Sequence, residues 1–136
     1  AEALSRLFML PGAQYSDPEF SWKHVLAPAA IGFMDGRGLG PQYNGDLFVG
    51  FSVPDPLGGP LFHLNLTGNR RAIAVDDPRL EDRVADNLTF HEMTESESLL
   101  IGRDFGVVTD IETSPAGSLY VVSLDQGTVY EVFRTK

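Results

Sequence analysis

Asp46-Leu47-Phe48-Val49-Gly50-Phe51, followed by Gly59-Pro60-Leu61-Phe62-His63-Leu64, is written again further along the chain. It returns as Ser118-Leu119-Tyr120-Val121-Val122-Ser123, followed by Gly127-Thr128-Val129-Tyr130-Glu131-Val132. Each unit is an apolar strand, a glycine-containing turn and a second strand with an aromatic in the same place. Leu47 thus corresponds to Leu119, Phe48 to Tyr120, Val49 to Val121 and Phe62 to Tyr130. Short strands repeating over about 40–50 residues are how β-propeller blades look in sequence. The expectation is an all-β chain of about two four-stranded antiparallel blades. Two blades do not close a ring, so such a chain works as part of something larger.

Working outward, Ala29 to Met34 reads as a small, apolar inner strand, and Gly45 to Phe51 as a strand suited to burial on both faces. Leu61 to Leu66 is a third strand and Arg71 to Val75 a fourth, at the outer edge; Leu99 to Ile101 is a further short strand. In the second blade, Val107 to Thr113 is the inner strand and Ser114-Pro115-Ala116-Gly117 its tight turn. Leu119 to Leu124 and Thr128 to Phe133 follow, joined at Asp125-Gln126-Gly127. The domain division is therefore 13–75 as a first blade with its preceding loop, 76–104 as an acidic connection, and 105–136 as a second blade. That second blade lacks an outer strand. Leu7-Phe8-Met9-Leu10, stopped by Pro11-Gly12, reads as a lone strand, and strand 7–10 of another chain would complete it.

Composition bounds the function. The 136 residues are 43% hydrophobic and 21% charged, enough for one ordinary core and against wholesale disorder. The net charge of -9 disfavours nucleic acid and anionic membrane surfaces, both of which need a basic face. With no cysteine, a disulfide, a thiolate metal site or a cysteine nucleophile is excluded. No apolar run approaches the roughly 20 residues of a membrane-spanning helix. Gly-rich phosphate loops and G-x-S-x-G nucleophile turns are missing from the sequence.

Several motifs resemble a known family. They are Asp17-Pro18-Glu19-Phe20-Ser21-Trp22, Ala27-Pro28-Ala29-Ala30-Ile31, Asn44-Gly45-Asp46-Leu47-Phe48-Val49-Gly50, Phe105-Gly106-Val107-Val108-Thr109-Asp110-Ile111 and Ser114-Pro115-Ala116-Gly117-Ser118-Leu119-Tyr120-Val121. In this order they resemble the C-terminal two blades of glucose/sorbosone dehydrogenase-like proteins, the soluble quinoprotein sugar dehydrogenases. The resemblance implies a six-bladed propeller, normally exported, and hence a periplasmic or extracellular location. It also implies aldose oxidation with pyrroloquinoline quinone (PQQ), held with calcium over the central channel. The family's catalytic histidine lies in an early blade and has no counterpart here. Other family positions differ too. Val25 stands where the enzymes carry Thr or Ser, and Ser52 to Pro56 contains none of their lysine. Val107 and Thr109 replace their arginines, while Asp110 is kept. A tricarboxylate quinone needs those cations.

The candidate ligand-binding residues are Trp22, His24, Arg103, Thr109 and Asp110. Trp22 and His24 lie in the loop before an inner strand, suited to stacking on a sugar ring and to hydrogen bonding or base chemistry. The plainer reading packs Trp22 between blades and leaves His24 on the surface. Arg103 is the cation nearest the replaced arginines. Asp110 faces the channel or, on the plainer reading, bonds neighbouring backbone. His63 alternates with apolar neighbours and reads as a strand-face residue. His91 with Glu92 and Glu95, and Asp76-Asp77 with Glu81-Asp82, are acidic loops without a metal-site spacing. Asn65-Leu66-Thr67 and Asn87-Leu88-Thr89 match the glycosylation pattern, and neither is assigned a sugar.

Three functions follow. The first is a propeller module that binds a small polar or carbohydrate ligand in the channel of a larger or trimeric ring, a homotrimer of two blades each completing six. The second is a fragment of a PQQ-dependent aldose dehydrogenase, an oxidoreductase. The third is a non-catalytic, partner-binding propeller.

Overall fold

Short runs of β-branched, leucine and aromatic residues, punctuated by Gly and Pro, favour strands over helices. The computed structural model, which describes residues 10–53 and 56–135, bears this out. The fold is mostly β, with antiparallel sheets and, among the described residues, no α-helix, only single 3-10 turns at Pro41–Tyr43, Pro78–Leu80 and Glu97–Leu99. The strands are β1 (Ser21–Trp22), β2 (Pro28–Phe33), β3 (Leu47–Phe51), β4 (Leu61–Leu64), β5 (Val84–Ala85), β6 (Leu100–Gly102), β7 (Val108–Thr113), β8 (Leu119–Ser123) and β9 (Thr128–Val132). Of the segment 7–10, Leu7 to Met9 lie outside the described residues.

The first sheet has the order β2-β3-β4-β6 and the second β7-β8-β9. β3 is buried at every position, as its unbroken apolar run requires. One expectation is corrected: Arg71 to Val75 is not the fourth strand of the first sheet. Its Ile73 only bridges Leu66, closing a local hairpin with Thr67 N donating to Ala72 O at 2.9 Å. The outer edge of β4 is instead taken by β6, with Leu61 opposite Gly102 and Phe62 opposite Leu100. A nearby turn competes for the 71–75 segment, and sequence distance hides the β6 pairing. A short parallel pair, β1 with β5, also arises inside stretches that read as loop and acidic connection.

The repeat is kept to the residue. Leu47, Phe48, Val49 and Gly50 of β3 face Leu64, His63, Phe62 and Leu61. Leu119, Tyr120, Val121 and Val122 of β8 face Val132, Glu131, Tyr130 and Val129 in the same register. Each inner strand also breaks register at its second residue, between Pro28 and Ala30 in β2 and between Val108 and Asp110 in β7. A bulge at the same place in both repeats is a built feature that turns the strand and ends pairing on its free side. It makes Ala30 equivalent to Asp110, Gly32 to Glu112 and Gly50 to Val122.

The sheets stack in sequence order. Ala30, Met34, Phe48 and Leu61 of the first sheet and its β2–β3 connection pack on Val108, Ile111, Leu119 and Val121 of the second. The opposite side of the first sheet carries Leu47, Val49, Phe51, Phe62 and Leu64, which meet Leu26, Ile73 and Met93 with Phe20 and Trp22 alongside. Since Leu119 and Val121 correspond to Leu47 and Val49, the front of one sheet lies on the back of the next, head to tail. Thr113 fastens the inner strands together: its Oγ1 donates to Phe33 O at 2.9 Å and accepts from Asp35 N at 3.2 Å.

Two glycines set the spacing. A Cβ on Gly32 would sit 2.6 Å from Ile111 O, and one on Gly50 would sit 2.2 Å from Val108 Cγ1. Backbone oxygen cannot move aside as a flexible side-chain end can. Gly32→Ala is therefore expected to lower stability by about 1–3 kcal/mol, the range for overpacking a well-packed core. Gly68→Ala, which meets nothing within 4 Å, serves as control and changes stability by less than about 0.5 kcal/mol. Urea unfolding midpoints of the two variants check both values.

Candidate functional site

Trp22 is positioned by the β1–β5 pair, where Ser21 N donates to Arg83 O and Lys23 N to Ala85 O, both at 3.0 Å. Its ring meets Phe20 at 4.9 Å and Phe51 at 5.4 Å between centroids, edge to face, and Nε1 donates to Ser96 Oγ at 3.2 Å. Such contacts bury an aromatic body and satisfy its single donor. The half-buried Trp22 also lines an open groove of about 390 Å³ with Phe20, Ile31, Val49, Leu64 and Ile73, in which Glu19 is the only charged residue. Ile31 and Phe33 are each 61% exposed.

His24, two residues on, is half-buried, its ring at 5.6 Å from Phe90. Its backbone is held by Asn87, which is fully buried. Asn87 Oδ1 accepts from His24 N at 2.8 Å, and Nδ2 donates to His24 O, Thr89 O and Glu92 O at 3.0–3.2 Å. One amide thus ties the loop before β2 to the acidic segment. In the sequence Asn87 stands out only as part of the Asn87-Leu88-Thr89 glycosylation pattern, which carries no sign of this role. Buried as it is, Asn87 is closed to glycosylation in the folded chain.

Thr109 and Asp110 lie on β7, at and after the bulge, and both are exposed. Asp110 Oδ1 accepts from the neighbouring Ile111 N at 3.0 Å. Around it, the second sheet's outward side carries Glu112, Tyr120 and Glu131 in one cross-strand row and Asp110, Val122 and Val129 in the next. These three carboxylates and a tyrosine hydroxyl can accept hydrogen bonds from a polyhydroxylated or cationic ligand. Arg103 is exposed in the loop from β6 to β7.

Within one chain the five residues form two groups. Trp22 and His24 belong to the groove side of the first sheet, whereas Thr109 and Asp110 belong to the second sheet, stacked against the other side, and Arg103 stands on the loop that leads from the first sheet into the second. The quinone that the resemblance implies does not fit: Val107 is bridged to the exposed Ser52, Thr109 is exposed, and the places that the resemblance marks for a lysine and two arginines carry no cation. No group of three or more His, Asp or Glu among the described residues is placed to hold a metal ion.

Other titratable residues join strands or hold turns. His63 Nε2 lies 2.9 Å from Asp46 Oδ2, and Asp46 Oδ1 accepts from Leu66 N at 3.0 Å, so this histidine joins β4 to the start of β3. Asp77 accepts from Arg79 N and Nη2 at 3.0 and 2.7 Å, and that side chain holds its carboxyl well below the usual range. Burial pushes the Glu92 carboxyl up, but hydrogen bonds from Thr94 and Leu88 outweigh it, leaving it below its ordinary value. The chain matches no family model, no curated protein and no solved structure.

Two outcomes follow from this network. Asn87→Ala removes four hydrogen bonds that tie the two loops together, each worth about 0.5–1.5 kcal/mol net. A drop of at least about 2 kcal/mol in unfolding free energy is expected, with weakened amide-exchange protection at His24. The depressed carboxylates of Asp77 and Glu92 contribute stability above their unfolded pKa values. That contribution is lost as pH falls through the lower folded values. Thermal midpoints therefore decline below about pH 4, and Glu92→Gln flattens the decline.

Proposed function

We propose that the chain is a two-blade unit of a sugar-dehydrogenase-like β-propeller, completed to six blades by two further copies. In this reading the ring binds a small polar ligand, a carbohydrate by preference, without quinone chemistry. The observation that carries it is the repeat of strand register and bulge in two sheets stacked head to tail. A head-to-tail stack ends in two unlike faces: the first sheet's, which the chain's own Trp22, Leu26, Ile73 and Met93 cover at β3 and β4 and leave open along β2, and the second sheet's outward face. Cyclic repetition covers that open strip and the outward face together. The motifs that resemble the exported sugar dehydrogenases support the same reading and a periplasmic or extracellular location.

The junction between copies differs from the one inside the chain. Glu112 and Val122 stand where Gly32 and Gly50 permit close approach, so the next junction is wider along β7. A wider junction keeps Thr109, Asp110 and Glu112 solvated at the inner rim, because sealing an unpaired carboxylate between sheets costs several kcal/mol, about 2–7 even for a neutral polar group. Ring closure also turns the Trp22 and His24 side of one copy toward the Thr109 and Asp110 side of its neighbour. The candidate residues then converge across the junction between chains: an aromatic edge on one wall and hydrogen-bond acceptors on the other.

Light scattering on a sizing column tests the ring, and calorimetric titration with monosaccharides tests the site. The expected mass is three times the 14.9 kDa of one chain. Asp110→Asn is expected to weaken sugar binding about tenfold or more, in line with a lost charge-assisted hydrogen bond. A monomer that binds no sugar overturns the proposal.

A further inference from the structure

β9 carries an edge unlike the other three. Exposed sheet edges invite a further strand, and proteins blunt them with proline, bulges, charge or very short strands. β2 begins at Pro28 and is bulged at Ala29. β7 is bulged at Thr109 and carries Asp110 and Glu112. β6 is only three residues long. By contrast β9, Thr-Val-Tyr-Glu-Val, runs five residues in unbroken register with β8 and carries a single charge, Glu131, with no proline or bulge. Its composition has high strand propensity.

The first sheet shows what belongs there. β9 is the counterpart of β4, and the outer edge of β4 is covered by the antiparallel β6, an apolar Leu-Ile-Gly set over Leu61 and Phe62. No described strand occupies the same place over Val129 and Tyr130. The missing element is thus a short apolar strand, antiparallel to β9. Leu7-Phe8-Met9-Leu10 is a four-residue apolar run outside every described strand, and Pro11-Gly12 ends it cleanly.

We propose that the open edge of β9 takes the Leu7–Leu10 segment of a second copy as the fourth strand of its sheet. Residues 10–19, which lead from that segment to β1, are exposed along their whole length. β1 lies on the groove side of the first sheet, and the second sheet lies on the opposite side. A chain's own segment therefore departs from the far side of its first sheet. In head-to-tail repetition the neighbour's β1 side faces this sheet, and the neighbour's segment lies within reach. The open edge follows from the two sheets alone; only the choice of a second copy rests on the ring reading above.

Since the chain has no cysteine, engineered pairs give an unambiguous readout. Val129, 61% exposed on the outward side of β9, is changed to Cys together with Phe8→Cys in one variant and Met9→Cys in another. Side chains alternate across a strand, so only one of the two can meet Val129 at disulfide distance. Mild oxidation is expected to give reducible covalent oligomers with one pair and none with the other, at unchanged urea midpoints. Failure of both pairs to link overturns the proposal, and so does a link within a single chain. A trimer that links with neither pair sinks this inference and leaves the ring intact. Linked chains that bind no sugar leave this inference standing and remove the ligand.

Discussion

Everything in this chain hangs on the approach of β2 and β3 to β7. Gly32 and Gly50 let the first sheet settle onto Ile111 and Val108 with no side chain between, which brings the flanking residues into contact. Phe48, Leu61 and Met34 then seal against Leu119 and Val121, all of them buried. In a chain of this length, the few kilocalories per mole governed by such close packing are a large part of net stability, typically about 5–15 kcal/mol for a domain. A methyl group at Gly32 would press on backbone rather than on a movable side chain. That is why the contact sets the spacing of the two sheets instead of following from it.

Once the spacing is set, the outer layers have fixed places. The groove side of the first sheet is closed at β3 and β4 by Trp22, Leu26, Ile73 and Met93, and left open along β2 at Ile31 and Phe33. Polar groups do the tying. Asn87 joins two loops through a single amide, and Asp46 joins His63 to Leu66 N. Polar groups turned from water are tolerated only when satisfied, and Asn87 and Asp46 are satisfied by partners distant in sequence. The loops that carry Trp22 and His24 are thus as determined as the strands, although neither reads as regular structure.

Period-two patterning made most of the strands legible in the sequence. β3, β4, β8 and β9 fall where the repeat places them, and Leu47, Phe48, Val49 and Phe62 occupy the positions matched with Leu119, Tyr120, Val121 and Tyr130. The elements that escaped were those made by distant partners. β1 and β5 are two residues each, paired across β2, β3 and β4, and although the short strand at Leu99 to Ile101 is found as β6, its partner β4 was not legible. Local propensity says little about such pieces. Arg71 to Val75 looked like a strand by composition and lost its place to a turn that folds it back on Leu66. For the candidate residues, sequence gave their elements and not their grouping. Trp22 precedes β2 and Asp110 lies on β7, but the first sheet stands between their two sides.

The two repeats share a backbone and differ in the faces they turn outward. Where the first sheet has Ala30, Gly32, Phe48 and Gly50, and closes dry on its neighbour, the second has Asp110, Glu112, Tyr120 and Val122. Two small residues have become carboxylates and a glycine has become valine, with no change of register. A face with ionised groups along its inner strand cannot be sealed as tightly as its counterpart, since an unpaired carboxylate gives up its hydration for nothing. Its aromatic and aliphatic part, toward β9, keeps the capacity to pack. The same sheet therefore offers two kinds of side chain on one face: Tyr120, Val122 and Val129, which can pack on another sheet, and Asp110, Glu112 and Glu131, which keep their hydration only in water. The register break at Thr109 stands directly before Asp110, at the sheet edge where a carboxylate stays solvated.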